Sequence, residues 1–312
     1  MKHPPRDTSG TEDLLSTERN RIMSASANSV LAQPEITASE QRQIEQANAS
    51  GKTPVVFIHG LWLLPSSWDN WVGLFEENGY AGVTPVWPDD PETVEEARAN
   101  PEVFARKTLK RVADHTAAVT DRLDRKPAVM GHSTGGLLTY MIADRGLSAA
   151  SVAIDAGPFR GVLPLPFSAL KSSSPVLRNP RNRGRAITLT FDQFKYGWAN
   201  ALDEDEARRL YETYHVAGAG IALSQMANAN LNPFTEAKVD PRNPDRGPLL
   251  IIEGEKDHTV PWAIAHAAYK RQKHNRSITE ITRIPNRGHS LTIDSGWQEV
   301  AQTALDFVKR FA

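Results

Sequence analysis

Cysteine is absent from the 312 residues. Disulfides, thiolate metal sites, iron–sulfur clusters and cysteine nucleophiles are thereby excluded. Charge of one sign is also missing. Lys plus Arg number 36 and Asp plus Glu 37, for a formal net charge of −1. That balance offers no electrostatic reason to hold nucleic acid or an anionic membrane. No apolar run approaches the ~20 residues of a membrane span, and the opening Met-Lys-His-Pro-Pro-Arg-Asp leads into no signal-peptide core. The expectation is a cytoplasmic chain without integral membrane segments, monomeric or homodimeric, acting on a small molecule. With 40% hydrophobic and 23% charged residues it can still bury a sizeable core.

Residues 1–53 are polar, with scattered large apolar residues, and read as a loosely attached extension. Short helices are expected at Thr17–Met23 and Ser39–Asn48. From Pro54 the texture changes. Val55-Val56-Phe57-Ile58 is a short β-branched and aromatic run ending at His59-Gly60. Runs of this kind fit strands buried on both faces. Others occur at Val83–Trp87, Ala128–Met130, Ser151–Ile154 and Leu249–Ile252, with a weaker one at Ser277–Ile284. Helical stripes lie between them. Trp68, Trp71, Val72 and Phe75 form one, stopped by Asn78-Gly79. Leu109, Val112, Thr116, Val119 and Leu123 form a second, and Trp297, Val300, Ala301, Leu305 and Val308 a third. Alternation of this kind predicts an α/β fold with a mostly parallel, doubly wound sheet of about six to eight strands. Residues 54–157 and 247–312 would form its core. Residues 158–246 break the rhythm. They are proline-rich, with helices expected near Phe191–Leu202 and, after an Asp203 N-cap, over Glu204–Tyr214. They read as a helical cap inserted in the core, too long for an ordinary loop.

The sharpest motif is Gly131-His132-Ser133-Thr134-Gly135, set between a buried strand and a helix-compatible stretch. A serine on such a turn projects its hydroxyl clear of the backbone, and its neighbours must be small. The following helix turns its positive end toward the site. Serine needs a base to take its proton, usually a histidine held by a carboxylate. Asp257 follows the Leu249–Ile252 strand, where ligands gather in parallel sheets. His289 lies in a loop before the last helix. Asp155, which ends the Ser151–Ile154 strand, is the alternative carboxylate. Among other histidines, His132 is expected to pack beneath the turn, while His115, His266 and His274 fall on helices and are expected in solvent. An oxyanion formed at Ser133 needs two donors. These would be the N–H groups of Thr134, next to the serine, and Leu61, after Gly60. His59 would brace that loop. The acidic run Asp89, Asp90, Glu92, Glu95 and Glu96 reads as a solvated face, and Arg178, Arg181, Arg183 and Arg185 as an exposed basic run. No metal-ligand spacing or phosphate-binding glycine loop is visible, so neither metal nor cofactor is expected.

Together His59-Gly60, Gly131-His132-Ser133-Thr134-Gly135, the run Gly254–Pro261 and Gly288-His289 resemble the α/β-hydrolase superfamily, in its order, from Pro54 to the C-terminus. The resemblance implies Ser133 as nucleophile, Asp257 as acid, His289 as base, and 158–246 as a lipase- or esterase-like cap. Members usually carry two strands before the His-Gly strand. Residues 1–53 show none, so a smaller sheet beginning at Val55 is implied. A pocket between the turn and the cap would be lined by Trp62, Phe159, Phe194 and Trp198, which suits a small apolar or aromatic ester. The same scaffold hosts lactonases, amidases, C–C hydrolases, perhydrolases and lid-gated receptors, and fold does not choose among them.

Overall fold

The computed structural model describes residues 35–312. The Thr17–Met23 helix expectation lies outside them. The first element is helix α1 (Ala38–Ser50), close to the expected Ser39–Asn48. Thr37 and Glu40 close it with a reciprocal capping box, and Gly51 ends it in the left-handed region at φ 64°. This part of the N-terminal stretch is no loose attachment. Ile44 and Ala47 are buried in the core. Glu40 is fully buried as well, and one of its oxygens accepts from Val86 N and His115 Nε2. Burial alone would raise the Glu40 pKa, but the bonds from His115 and Thr37 outweigh it and hold it below the ordinary value. His115 was expected in solvent; this partner is the reason it is inside.

Six strands follow: β1 (Thr53–Ile58), β2 (Tyr80–Val83), β3 (Ala128–His132), β4 (Ala150–Ile154), β7 (Leu249–Gly254) and β8 (Thr279–Ile284). They form one sheet in the order β2-β1-β3-β4-β7-β8, every pair parallel. One strand differs from expectation. β2 ends at Val83, where a run over Val83–Trp87 was anticipated. Pro85 has no N–H, and the N–H groups of Thr84 and Val86 donate to Gln43 and Glu40 of α1. Side chains of a helix thus replace the neighbouring strand.

Successive strand residues feed opposite faces. Val55, Phe57, Met130, Val152, Ile154, Leu250 and Ile252 pack on α2 (Asp69–Glu77) and α11 (Trp297–Val308). Val56, Ile58, Val129, Ala153, Leu249 and Ile251 pack on α1, α4 (Leu109–Thr120), α5 (Thr134–Asp144) and α10 (Trp262–Gln272). The Trp71 indole N–H, on α2, donates to Thr292 O at 2.9 Å and links α2 to the segment before α11. A short helix, α3 (Val94–Ala99), lies between β2 and α4.

Between β4 and β7 the chain leaves the sheet. It forms α6 (Phe167–Leu177), α7 (Phe191–Gly197), α8 (Glu204–Tyr214) and α9 (Gly220–Ala227). A two-residue antiparallel pair joins β5 (Ala186–Ile187) to β6 (Gly218–Ala219). The expected Asp203 cap is present, its carboxylate accepting from Glu206 N at 2.7 Å. The helix expected to run to Leu202 stops at Gly197. Among the described residues no helix is long and apolar enough to cross a membrane.

Candidate active site

β3 delivers its last residue to a sharp turn, and Ser133 sits there at φ 58°, ψ −118°. A non-glycine residue with positive φ is strained, and such strain gathers at functional sites. The two flanking glycines are needed for space. A Cβ on Gly135 would lie 2.0 Å from the Ile58 carbonyl oxygen, and one on Gly131 2.2 Å from that of Gly135. β1, β3 and α5 can approach this closely only because both positions lack a side chain.

Ser133 Oγ donates to His289 Nε2 at 2.9 Å, and His289 Nδ1 donates to Asp257 Oδ2 at 2.6 Å. The loop that carries His289 is fixed on both sides. His289 O accepts from His132 Nε2 at 2.8 Å, and Ser290 N donates to Trp198 O at 3.1 Å. His132 is therefore buried beneath the turn as expected, and its own protonation is held well below normal, by burial first and then by His289. Asp257 Oδ1 accepts from Thr259 N and Val260 N at 2.6 and 3.0 Å. Three hydrogen bonds of this kind stabilise a charged carboxylate. Asp155, the alternative acid, lies further from the ring, with Oδ2 3.8 Å from His289 Nδ1.

Leu61 and Thr134 both line a cavity whose floor is Ser133. Among the described residues neither backbone N–H has a hydrogen-bond partner, so both are free to donate to an oxygen placed there. His59 braces this loop through a buried chain. Its Nδ1 bonds Gly60 O at 2.9 Å, and its Nε2 faces Asp90 Oδ2 at 3.1 Å. Asp90 in turn pairs with Lys107, both side chains fully buried. Burial lowers the Lys107 pKa, and the Asp90 charge opposes that shift. Asp90 was expected on a solvated face; Lys107, 17 residues on, is what draws it inside.

Of the residues expected to wall the cavity, Leu61, Trp62 and Leu165 line it, whereas the aromatic rings Phe159, Phe194 and Trp198 do not. Trp62 is the one aromatic ring among them. It is held at φ 66°, and its indole N–H donates to Ile187 O at 2.8 Å. Phe159 is buried edge-on against Tyr140. Phe194 stacks on Trp198 with centroids 5.9 Å apart. Trp198 stands edge-on to His289 at 4.7 Å, so it supports the imidazole from behind. These rings are large enough to fill the space between layers, and close packing there removes them from the cavity. In place of those rings the wall is completed by Pro158, Val162, Leu170, Leu223, Met226, Val260 and Ile264. The sequence signal for the missed wall was the apolar Ile221-Ala222-Leu223 run in α9. His215 is buried against Phe194 and Tyr211, and His258 bonds Tyr196 O. Leu165 and Leu170, which line the cavity, are 68 and 47% exposed, and Leu163 and Phe167, close to them in sequence, are 70 and 80% exposed.

Three potential metal ligands, His132, Asp155 and His289, lie within 4.8 Å of one another. Both ring nitrogens of His289 are already engaged by Ser133 and Asp257, so coordination there would break that line.

Comparison with known proteins agrees with this architecture. No curated protein matches the sequence. Among solved structures, a monoacylglycerol lipase of Paleococcus ferrophilus is 16% identical, with TM-score 0.58 over 83% of this chain and 95% of its own. A thermophilic esterase of Thermogutta terrifontis is 16% identical, with TM-score 0.59 over 83% and 90%. A pyrethroid hydrolase is 17% identical, with TM-score 0.57 over 82% and 97%. At these identities the likeness is one of fold. A family model matches residues 55–303, from the first strand into the last helix, and by that match the chain belongs to the alpha/beta hydrolase family.

Proposed function

We propose that this enzyme is a serine hydrolase that cleaves carboxylic esters of small apolar or aromatic compounds through an acyl-enzyme. The observation that carries the reading is the unbroken line Ser133–His289–Asp257 at the floor of an apolar cavity. Ser133 Oγ attacks the ester carbonyl as its proton passes to His289 Nε2. Asp257 holds the imidazole with Nδ1 protonated and stabilises the imidazolium that forms. The N–H groups of Leu61 and Thr134 take the developing oxyanion, in a site where water is scarce and such bonds are strong. Collapse expels the alcohol, which takes the proton from His289. Water then attacks the acyl-enzyme by the same route.

In this reading residues 158–246 act as a cap over a core of 54–157 and 247–312. Their apolar wall selects uncharged acyl or aryl groups. The relatives named as lipase, esterase and pyrethroid hydrolase favour ester chemistry over the other reactions of the fold. The test is labelling by a fluorophosphonate, followed by a panel of aryl esters of increasing acyl length. Ser133 should be the labelled residue. Ser133→Ala should abolish labelling and lower kcat by about four orders of magnitude or more with an unchanged melting curve. Turnover that survives Ser133→Ala would refute the proposal.

A further inference from the structure

Asp155 is a buried carboxyl that the reaction as described does not use. It follows the last residue of β4 with φ 40°, in the left-handed region that a non-glycine residue rarely occupies. Its N–H donates to Ile252 O at 2.8 Å, and its Oδ1 accepts from Gly254 N at 2.9 Å. These bonds hold the strained turn so that the carboxyl faces the triad. Its Oδ2 has no partner among the described residues. It points toward His289 Nδ1, 3.8 Å away.

The groups facing Asp155 are Asp257 and Glu253 from β7 and its following turn, His289 from the last loop, and His132 from β3. Neighbouring carboxyls oppose each other's charge. Asp257 has three donors and Asp155 one. Asp155 is thus the less well supported of the two as a carboxylate. Burial, reinforced by the Asp257 charge, pushes Asp155 well above the usual carboxylate range. A neutral carboxyl there costs little, and its spare oxygen can carry the proton toward Asp257. With the Asp257 charge removed, the largest opposition to ionising Asp155 after burial disappears. Moving Oδ2 by about 1 Å would then bring it within hydrogen-bond reach of Nδ1.

We propose that Asp155 is a second acid of the site: a neutral positioning partner of Asp257 in the native enzyme, and the ionised partner of His289 when the Asp257 carboxylate is missing. On ionisation its proton goes to bulk water. The inference rests on the hydrolase reading above, since it concerns the orientation of the same base.

The experiment compares the full-length enzyme with Asp257→Ala, Asp155→Asn and the double variant. Asp257→Asn serves as a second acid variant because it keeps an acceptor for Thr259 N and Val260 N. Two quantities are followed: kcat/KM for a short aryl ester against pH, and titration of the His289 ring by NMR. Asp155→Asn keeps the shape of a neutral acid and should lower kcat/KM only about threefold. Asp257→Ala should lose about a hundredfold, with a further ionisation entering the acidic limb. The double variant should lose about another hundredfold, and its His289 midpoint should fall by about one pH unit or more relative to Asp257→Ala. Equal rates and equal midpoints for Asp257→Ala and the double variant would overturn the proposal. So would an Asp155→Asn as damaging as Asp257→Ala with an intact melting curve, which would make Asp155 the primary acid. Failure of the hydrolase reading itself would appear separately, as Ser133 unlabelled by fluorophosphonate, while the NMR titration would still report on Asp155.

Discussion

The floor and the roof of the cavity are built on opposite terms. The floor stands on the ends of β3, β4 and β7, where every strand residue is buried and each reactive side chain is held by at least one further hydrogen bond. The roof, residues 158–246, is joined to the core by side-chain bonds to its backbone, such as Trp62 to Ile187 O and those from Arg98 to three carbonyls at the end of α8. Among the described residues seven large hydrophobics are exposed, and all but Ile278 belong to this segment. The contrast separates two tasks. Chemistry requires side chains fixed to a fraction of an ångström, which a packed sheet edge supplies. Access and selectivity require a surface that can open without unfolding the sheet.

The comparison predicts that disturbing the floor costs stability while disturbing the roof costs selectivity. The largest effect is expected at Asp90. Asp90→Ala strands Lys107 as a buried charge and should cost about 3–5 kcal/mol in urea denaturation. It should also lower kcat, because His59 would lose the partner that braces the loop carrying Leu61. A loss under 1 kcal/mol would show that the pair is dispensable to the floor.

The next effect depends on pH. Glu253 is buried on β7, with Arg283 Nε donating to one oxygen and, among the described residues, no hydrogen-bond partner on the other. Burial, opposed by Arg283 and reinforced by Asp257, pushes its pKa up to about 7 from an ordinary 4.5. The folded protein therefore binds this proton more tightly than the unfolded chain. Its contribution to stability is intact below about pH 4.5 and declines as pH rises to about 7. Glu253→Gln should flatten that slope and gain up to about 3 kcal/mol above pH 7. Melting curves at pH 5 and 8 measure it, and an unchanged slope would place the source of pH dependence elsewhere.

The smallest stability effect belongs to the roof. Phe167→Ser and Phe234→Ser change side chains that are 80 and 91% exposed. Each should shift stability by no more than about 0.5 kcal/mol. On the cavity wall, Leu165→Ser should raise KM for bulky acyl esters several-fold and leave short esters unaffected. A collapse of the fold on these changes would make 158–246 part of the core and erase the contrast.

What was legible in the sequence has a common cause. Ser133 and Asp257 follow strands marked by continuous apolar runs, and His289 stands in a local Gly-His motif before the last helix, so each is placed by a few neighbouring residues. The two glycines of the motif are readable for the same reason, since the turn admits no Cβ. The missed features join residues distant in the chain. His115 and Asp90 carry no local sign of burial, and their partners lie 75 and 17 residues away.

The sequence by itself determined the strand–helix alternation, the turn at Ser133 and the order of the reactive groups, because backbone geometry and hydrophobic periodicity act over a few residues. Tertiary structure alone decided which aromatic rings face the cavity and how far each of the two acids lies from the imidazole, 2.6 Å for Asp257 and 3.8 Å for Asp155. Phe159, Phe194 and Trp198 are as apolar as any pocket wall, but they became packing between layers. Asp155 and Asp257 both end strands, and only the twist and register of β4 against β7 set their distances to His289. Side-chain burial and charge pairing are properties of assembled neighbours, and composition along one segment does not contain them.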